Sequence, residues 1–286
     1  MTNIIFTIFV DIPDSKIDNP GGYSADGVLE QTNKSIIAKY NFLKYKDDLI
    51  KAQQDYADLI QCEYKVYTSD NMYTEFANFF LVNYPQISEY DIINFYKHHV
   101  MFELSKEYDN ICYLDLDVIP NTSDNIFTCF DTNVFAVPDS NEEAHWGKTV
   151  ESKYYNTCIR NPATKYWNAH AMLSEIGFDP DQNVYNTGIM IASKETIMKL
   201  DYFGDFDKTL ELMTLVKTDP LSMYPKNIQR VFNYDNETVF SYKLISNNVK
   251  VQLLDKKWHF PIRDGLYEPG SKFYHVIDKD FTRFFK

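Results

Sequence analysis

Residues 111–120 read Ile-Cys-Tyr-Leu-Asp-Leu-Asp-Val-Ile-Pro. A short apolar run of strand character ends in two carboxylates, Asp115 and Asp117, spaced i, i+2. Side chains alternate on a strand, so this spacing puts both acids on one face. Two like charges side by side are unfavourable unless one is protonated or a cation lies between them. An oxygen-only pair at a strand end favours a hard divalent ion that also holds phosphate. The chemistry this implies is metal-assisted departure of a diphosphate.

Working outward from this run, strands and helices alternate. Residues 3–10 are β-branched and aromatic and read as a buried first strand. Residues 11–27 carry prolines and glycines and read as a long loop. Helical spacing covers 28–60, as one or two helices, and 64–68 reads as a second strand. Helices over about 72–83 and 89–108 then lead into the acid-ending run. This order predicts an α/β domain with an open, mostly parallel sheet and ligands at the carboxyl ends of its strands, where Asp11, Asp115 and Asp117 fall. Residues 139–183 are polar, include His145, Trp146, Arg160, Trp167 and His170, and read as an insertion over the site. Strand character returns at 185–192, followed by helices near 194–200 and 235–246 and strands at 249–254 and 273–277. There is no internal repeat.

Composition narrows the class. The 286 residues suffice for one sizeable core, and 44% hydrophobic content is ordinary for a globular chain. The 22 Tyr and 21 Phe read first as an aromatic core. A formal charge of −13 argues against a nucleic-acid binder and against attraction to anionic membranes. It leaves a nucleotide ligand open, because one metal and one or two basic residues suffice for that. Cys62, Cys112, Cys129 and Cys158 form no C-x-x-C pair and read as free thiols in a reducing compartment. The N-terminus lacks a signal-peptide pattern and no apolar stretch reaches membrane-spanning length. A cytoplasmic protein is expected. The richness in Asn, Ile, Lys, Tyr and Phe is a composition associated with AT-rich genomes, including those of viruses and bacteria.

Four ordered stretches carry a family resemblance. They are Asn94-Phe95-Tyr96-Lys97-His98-His99 leading into Tyr113-Leu114-Asp115-Leu116-Asp117-Val118, then Tyr185-Asn186-Thr187-Gly188-Ile189-Met190, Tyr234-Asp235-Asn236-Glu237-Thr238-Val239, and Phe273-Tyr274-His275-Val276. Together they resemble the GT-A-fold, metal-dependent glycosyltransferases. The likeness is greatest to the retaining groups with glycogenin, lipopolysaccharide galactosyltransferases, and xylosyl- and mannosyltransferases. The resemblance implies a single Rossmann-like GT-A domain over 1–286. It also implies a nucleotide-sugar donor, UDP-hexose first, with a glycan or other hydroxyl acceptor.

The resemblance assigns roles to residues. Asp117 and His275 would bind the metal, with Asp115 as a shared ligand or ribose contact. A mixed oxygen and imidazole set suits Mn2+, with Mg2+ as the alternative. Val10 and Asp11 would lie beside the base and ribose. Asn186 would hydrogen-bond the donor sugar, and Gly188 would allow close backbone approach. Asp235 and Glu237 would contact donor and acceptor hydroxyls. Lys97 and His98 compete for the place where the family has a base reaching sugar or phosphate. The family's glycine and lysine after the late histidine are missing, which leaves Lys279 as the candidate for the pyrophosphate. His145, Trp146, Tyr166, Trp167 and His170 would form an acceptor platform, with Trp258 and His259 on the acceptor side.

Two other readings compete. One is a nucleotide- or glycan-binding module of the same fold without turnover. The other is a haloacid-dehalogenase-type phosphatase, whose Asp-x-Asp motif normally lies near the N-terminus, unlike this one.

Overall fold

The computed structural model describes residues 1–17, 34–138, 162–179, 185–218, 234–262 and 268–285. Its main sheet contains β1 (Asn3–Ile8), β2 (Glu63–Tyr67), β3 (Asn110–Leu114), β5 (Phe135–Pro138), β6 (Ile189–Ser193) and β7 (Val251–Leu254), in the order β2-β1-β3-β6-β5-β7. The β1–β2, β1–β3 and β5–β7 pairs are parallel, whereas β6 runs antiparallel to both β3 and β5. This is the mostly parallel α/β sheet expected, with one reversed strand that the apolar pattern alone did not reveal. The reversal matters for the site. With Leu114 opposite Ile189, the start of β6 lies at the edge where β3 ends.

Strand alternation divides the core. Ile4, Phe6, Ile8, Ile111 and Tyr113 point to one face of the sheet, with α2 (Asn71–Asn83) and α3 (Glu89–Leu104) contributing Phe76, Phe80, Phe95 and Tyr96. Ile5, Cys112 and Leu114 point to the other, against Tyr56 and Ala57 of α1 (Lys34–Leu59). Helices therefore cover both faces, and apolar burial on each side pins the strand register. Side-chain caps set the helix starts: Asp70 accepts from Tyr73 N, and Ser88 from Asp91 N.

A second sheet has the order β4-β9-β8, from β4 (Val118–Pro120), β8 (Phe260–Ile262) and β9 (Phe273–Val276). Sequence patterning placed β9 but not its short neighbours. The remaining helices are α4 (Ile126–Cys129), α5 (Pro162–Glu175), α6 (Lys194–Leu200), α7 (Phe206–Thr218) and α8 (Asn236–Ser246). Of the insertion expected over 139–183, α5 is described and packs on α8, Asn168 Nδ2 lying 3.5 Å from Thr238 Oγ1. His145, Trp146 and Arg160, and the side chains of Tyr166 and Trp167, lie outside what is described. Cys62, Cys112 and Cys129 are unbridged, and Cys158 is outside the described residues. No helix among the described residues is long and apolar enough to cross a membrane.

Candidate metal centre

Strand β3 ends at Leu114, and the chain then turns, Val118 N donating to Asp115 O at 2.9 Å. Asp115 and Asp117 are therefore brought together by a turn between two sheets, not by alternation along one strand as the sequence reading had it. The reason lies in α1. Gln53 is fully buried, and its Nε2 donates to both Asp115 O (2.9 Å) and Val118 O (2.8 Å). Its Oε1 accepts from Tyr64 OH at 3.1 Å. The turn's carbonyls thus find a donor where water does not reach, which is what a buried turn requires.

From the turn, β4 enters the small sheet with Val118 opposite His275. This register sets the imidazole against the acids. His275 Nε2 lies 3.2 Å from Asp117 Oδ2 and 3.9 Å from Asp115 Oδ2. One ligand atom from each of Asp115, Asp117 and His275 falls within 4.8 Å of the others. Asp117 and His275 are buried, while Asp115 is partly exposed.

Each aspartate has its own lysine. Lys97 Nζ lies 3.3 Å from Asp115 Oδ1 and donates to Thr187 O at 3.1 Å. Lys279 Nζ pairs with Asp117 Oδ2. Lys97 is almost fully buried, whereas the Lys279 side chain keeps about a quarter of its surface. Burial pushes the Asp117 pKa up. The charges of Lys279 and His275 outweigh it and hold the carboxyl well below the usual carboxylate range. Tyr113 OH donates to Asp115 Oδ1 at 2.5 Å, and burial, then the Asp115 charge, pushes this phenol well above its ordinary value.

The Asn186–Gly188 stretch precedes β6 instead of lying within it. A Cβ on Gly188 would sit 2.5 Å from His275 Cε1, 2.8 Å from Asn186 Oδ1 and 3.0 Å from Asp115 Oδ2. Glycine is what leaves the three ligands room to converge. Asn186 is tied down at both ends, its Oδ1 accepting from Gly188 N (2.8 Å) and its Nδ2 donating to Glu237 Oε1 (3.3 Å). Glu237 is buried, and the same oxygen accepts from Thr187 N (3.0 Å) and Thr187 Oγ1 (3.3 Å). Asp235 caps α8, accepting from Thr238 N (2.8 Å) and Thr238 Oγ1 (2.6 Å).

The structure separates two neighbours on α3. Successive helix residues diverge by about 100°, so Lys97 turns to Asp115 and His98 turns into the core. His98 is stacked on Tyr202 at 3.8 Å and 7°. Burial holds its pKa well below the ordinary imidazole value. It lies away from the acids, and of the two candidates only Lys97 belongs to the cluster.

Beside the acids opens a cleft of about 240 Å³, lined among others by Val10, Asp11, Phe42, Asn94, Asp117 and Lys279. Val10 and Asp11 line this cleft together with the acids. Asp11 also pairs with Lys39 at 3.0 Å. Trp258, expected on the acceptor side, is buried in the core against Phe273 (5.4 Å). His259 contacts His275 instead.

Sequence reasoning missed Gln53 and Lys39. A signal existed for Gln53: Leu49, Tyr56, Ala57 and Ile60 form one buried helical stripe, and Gln53 is the polar member inside it.

The donor set fits a divalent ion. Two carboxylates and an imidazole suit a borderline cation. Lys279 already places positive charge on Asp117, and the missing side chain at Gly188 leaves the space.

No family model and no curated protein sequence matches the chain. Among solved structures it is similar to mouse xyloside xylosyltransferase 1 in its apo form, at 14% identity and a TM-score of 0.44, over 96% of this chain and 97% of that one. It is also similar to the galactosyltransferase LgtC with donor and acceptor sugar analogs (13% identity, TM-score 0.43, 96% and 86% covered). A third is a glycosyltransferase involved in glycosylation of the major capsid of PBCV-1 (12% identity, TM-score 0.39, 97% and 94% covered).

Proposed function

We propose that the chain is a glycosyltransferase. It moves a sugar, most simply the hexose of a UDP-hexose, from a nucleotide donor to a hydroxyl of a glycan acceptor, with Mn2+ at Asp115, Asp117 and His275. The observation that carries this reading is the convergence of those three side chains beside the cleft at the carboxyl end of β1 and β3. Asp115, Asp117 and His275 would hold a divalent ion, which would supply positive charge toward the departing nucleoside diphosphate, worth several kcal/mol.

The chain's own groups do the rest. Val10 and Asp11 border the nucleotide. Lys279, which lines the cleft, adds positive charge toward the leaving group. Lys97 and Tyr113 fix the Asp115 carboxylate, and Asn186, locked by Glu237, faces the donor sugar. The bond from the anomeric carbon to the phosphate oxygen breaks, and a bond from the acceptor oxygen forms. Both Asp235 oxygens serve the cap of α8, and Glu237 Oε1 accepts three hydrogen bonds. Hydrogen bonds accepted by a carboxylate favour its ionised form and lower its basicity. This supports retention of configuration, with the acceptor proton passing to the departing phosphate oxygen.

The test is a set of nucleotide sugars with and without Mn2+ and without acceptor. One donor should raise the melting midpoint only with metal, because ligand bound to the native state alone stabilises it. That donor should also release nucleoside diphosphate slowly and only with metal. A second reading, a binding module without turnover, is favoured by one observation, the lysine already seated on Asp117. Donor binding that is indifferent to metal, with no release, would establish the module and remove the enzyme.

A further inference from the structure

We infer that His259 is a positioning residue for the metal centre: it fixes the ring orientation and the tautomer of His275. The inference rests on the metal-site reading above and adds a residue to it. His275 Nε2 faces the two carboxylates, while its Nδ1 lies 2.8 Å from His259 Nε2. An imidazole binds a metal through a nitrogen lone pair. If Nε2 is the ligand atom, the ring hydrogen sits on Nδ1. His275 is buried, so that hydrogen needs an acceptor close by. His259 Nε2 stands in that place, with its lone pair available when His259 carries its own hydrogen on Nδ1. The rings meet at 67° with centroids 5.0 Å apart, so the contact is not a stacked one.

The backbone holds His259 there independently of its side chain. Asp255 Oδ1 accepts from Lys257 N (2.8 Å) and Trp258 N (3.2 Å), and Asp255 O accepts from Trp258 N at 3.0 Å and His259 N at 3.3 Å. Trp258 anchors this turn in the core, packed on Phe130 at 5.2 Å and Phe273 at 5.4 Å. Strand β8 then runs parallel to β9 with Pro261 opposite His275, which keeps the two histidines adjacent. The partner of the ligand histidine is a second imidazole in place of the more usual carboxylate or carbonyl. The site therefore presents two negative charges to the ion, those of Asp115 and Asp117, and the second histidine adds none.

The experiment is direct Mn2+ titration of the full chain, read from the electron paramagnetic resonance signal of free ion, for the wild type, His259→Ala and His259→Gln. A glutamine side-chain oxygen reaches about as far as a histidine Nε2 and accepts the same hydrogen. His259→Ala should weaken Mn2+ binding by about 10- to 100-fold, the range for loss of such partners. His259→Gln should stay within about threefold of wild type. Equal affinity in wild type and His259→Ala, or a His259→Gln as weak as His259→Ala, overturns the inference while leaving the metal site standing. A wild type that binds no Mn2+ overturns the site and the inference together. Should His259→Ala not fold, nitrogen-15 NMR of the imidazoles in the metal-free wild type, where no ion sets the tautomer, decides the matter. A His275 hydrogen on Nδ1 supports the inference, and one on Nε2 refutes it.

Discussion

Strands β1 and β3 of the large sheet and strands β4 and β9 of the small one all end at or flank the same acid turn, yet they are built differently. β1 and β3 are runs of six and five residues whose alternate side chains go to two separate apolar clusters. β4 and β9 are three and four residues long, and one of the latter is the buried polar His275. The large sheet is fixed by apolar burial on both faces. The small sheet also buries apolar side chains in two clusters, Val118 and Phe273 in one and Ile119, Ile262, Tyr274 and Val276 in the other, but it adds a polar cluster: Gln53 under the turn, Lys279 on Asp117, and His259 behind His275. Apolar area tolerates small displacements, whereas hydrogen bonds and charge pairs lose most of their value when misplaced. The metal centre lies at the seam, with Asp115 at the end of β3 and Asp117 and His275 held from the small sheet. Substitutions at the seam should therefore change chemistry more than folding, and substitutions in the aromatic core the reverse.

The largest expected effect is at Asp117. Asp117→Asn keeps the shape but removes the charge opposite Lys279 and His275. Turnover of the donor should fall roughly a thousandfold, about 4 kcal/mol of transition-state stabilisation, and the metal-free melting midpoint should fall by some degrees, because the ion pairs that hold the Asp117 carboxyl ionised also stabilise the fold. Steady-state nucleotide release and a melting curve check both halves. Wild-type kinetics would place the metal elsewhere.

Next is Gly188→Ala. The new methyl must displace His275 or Asp115. Mn2+ affinity should drop by about tenfold or more, measured by the same titration as above. Unchanged affinity would mean that the imidazole has more freedom than the packing indicates.

Gln53→Leu probes the support under the turn. It leaves Asp115 O and Val118 O without their donor and Tyr64 OH without its acceptor. Urea unfolding should show a loss of about 2 kcal/mol, the scale for orphaned buried polar groups. A neutral outcome would show that water replaces the amide.

The smallest effect sharpens the other half of the comparison. His98 is neutral in the fold because burial depresses its pKa. The unfolded chain takes up a proton there below about pH 6.5, so the unfolded state binds more protons on acidification and stability falls with falling pH. His98→Phe keeps a ring against Tyr202 and removes this term. Between pH 7.5 and 5.5 the wild type should lose about 1 kcal/mol more than the variant in urea midpoints. Parallel losses would mean that His98 takes up its proton without leaving the core.

The alternation of strands and helices and the Asp115–Asp117 pair were legible because periodicity and residue type are local properties, whereas Gly188 and His275 were legible only through the family resemblance of the stretches that hold them. The sequence also held both α3 candidates, Lys97 and His98, but only the phase of the helix against the sheet decided that Lys97 meets Asp115 and His98 meets Tyr202. Asp235 and Glu237 were visible as acids at a helix start. Their hydrogen bonds to Thr238, Thr187 and Asn186 depend on how α8 docks against the start of β6.

By itself the sequence determined that an apolar strand ends in two acids and that an α/β sheet surrounds it, since both follow from short-range patterning. The tertiary structure alone decided that a turn, and not a strand face, joins those acids. It also decided that Gln53 and His259, 62 positions before Asp115 and 16 before His275, stand behind them. Contacts between residues so far apart are set by strand register and helix docking, which no local pattern encodes.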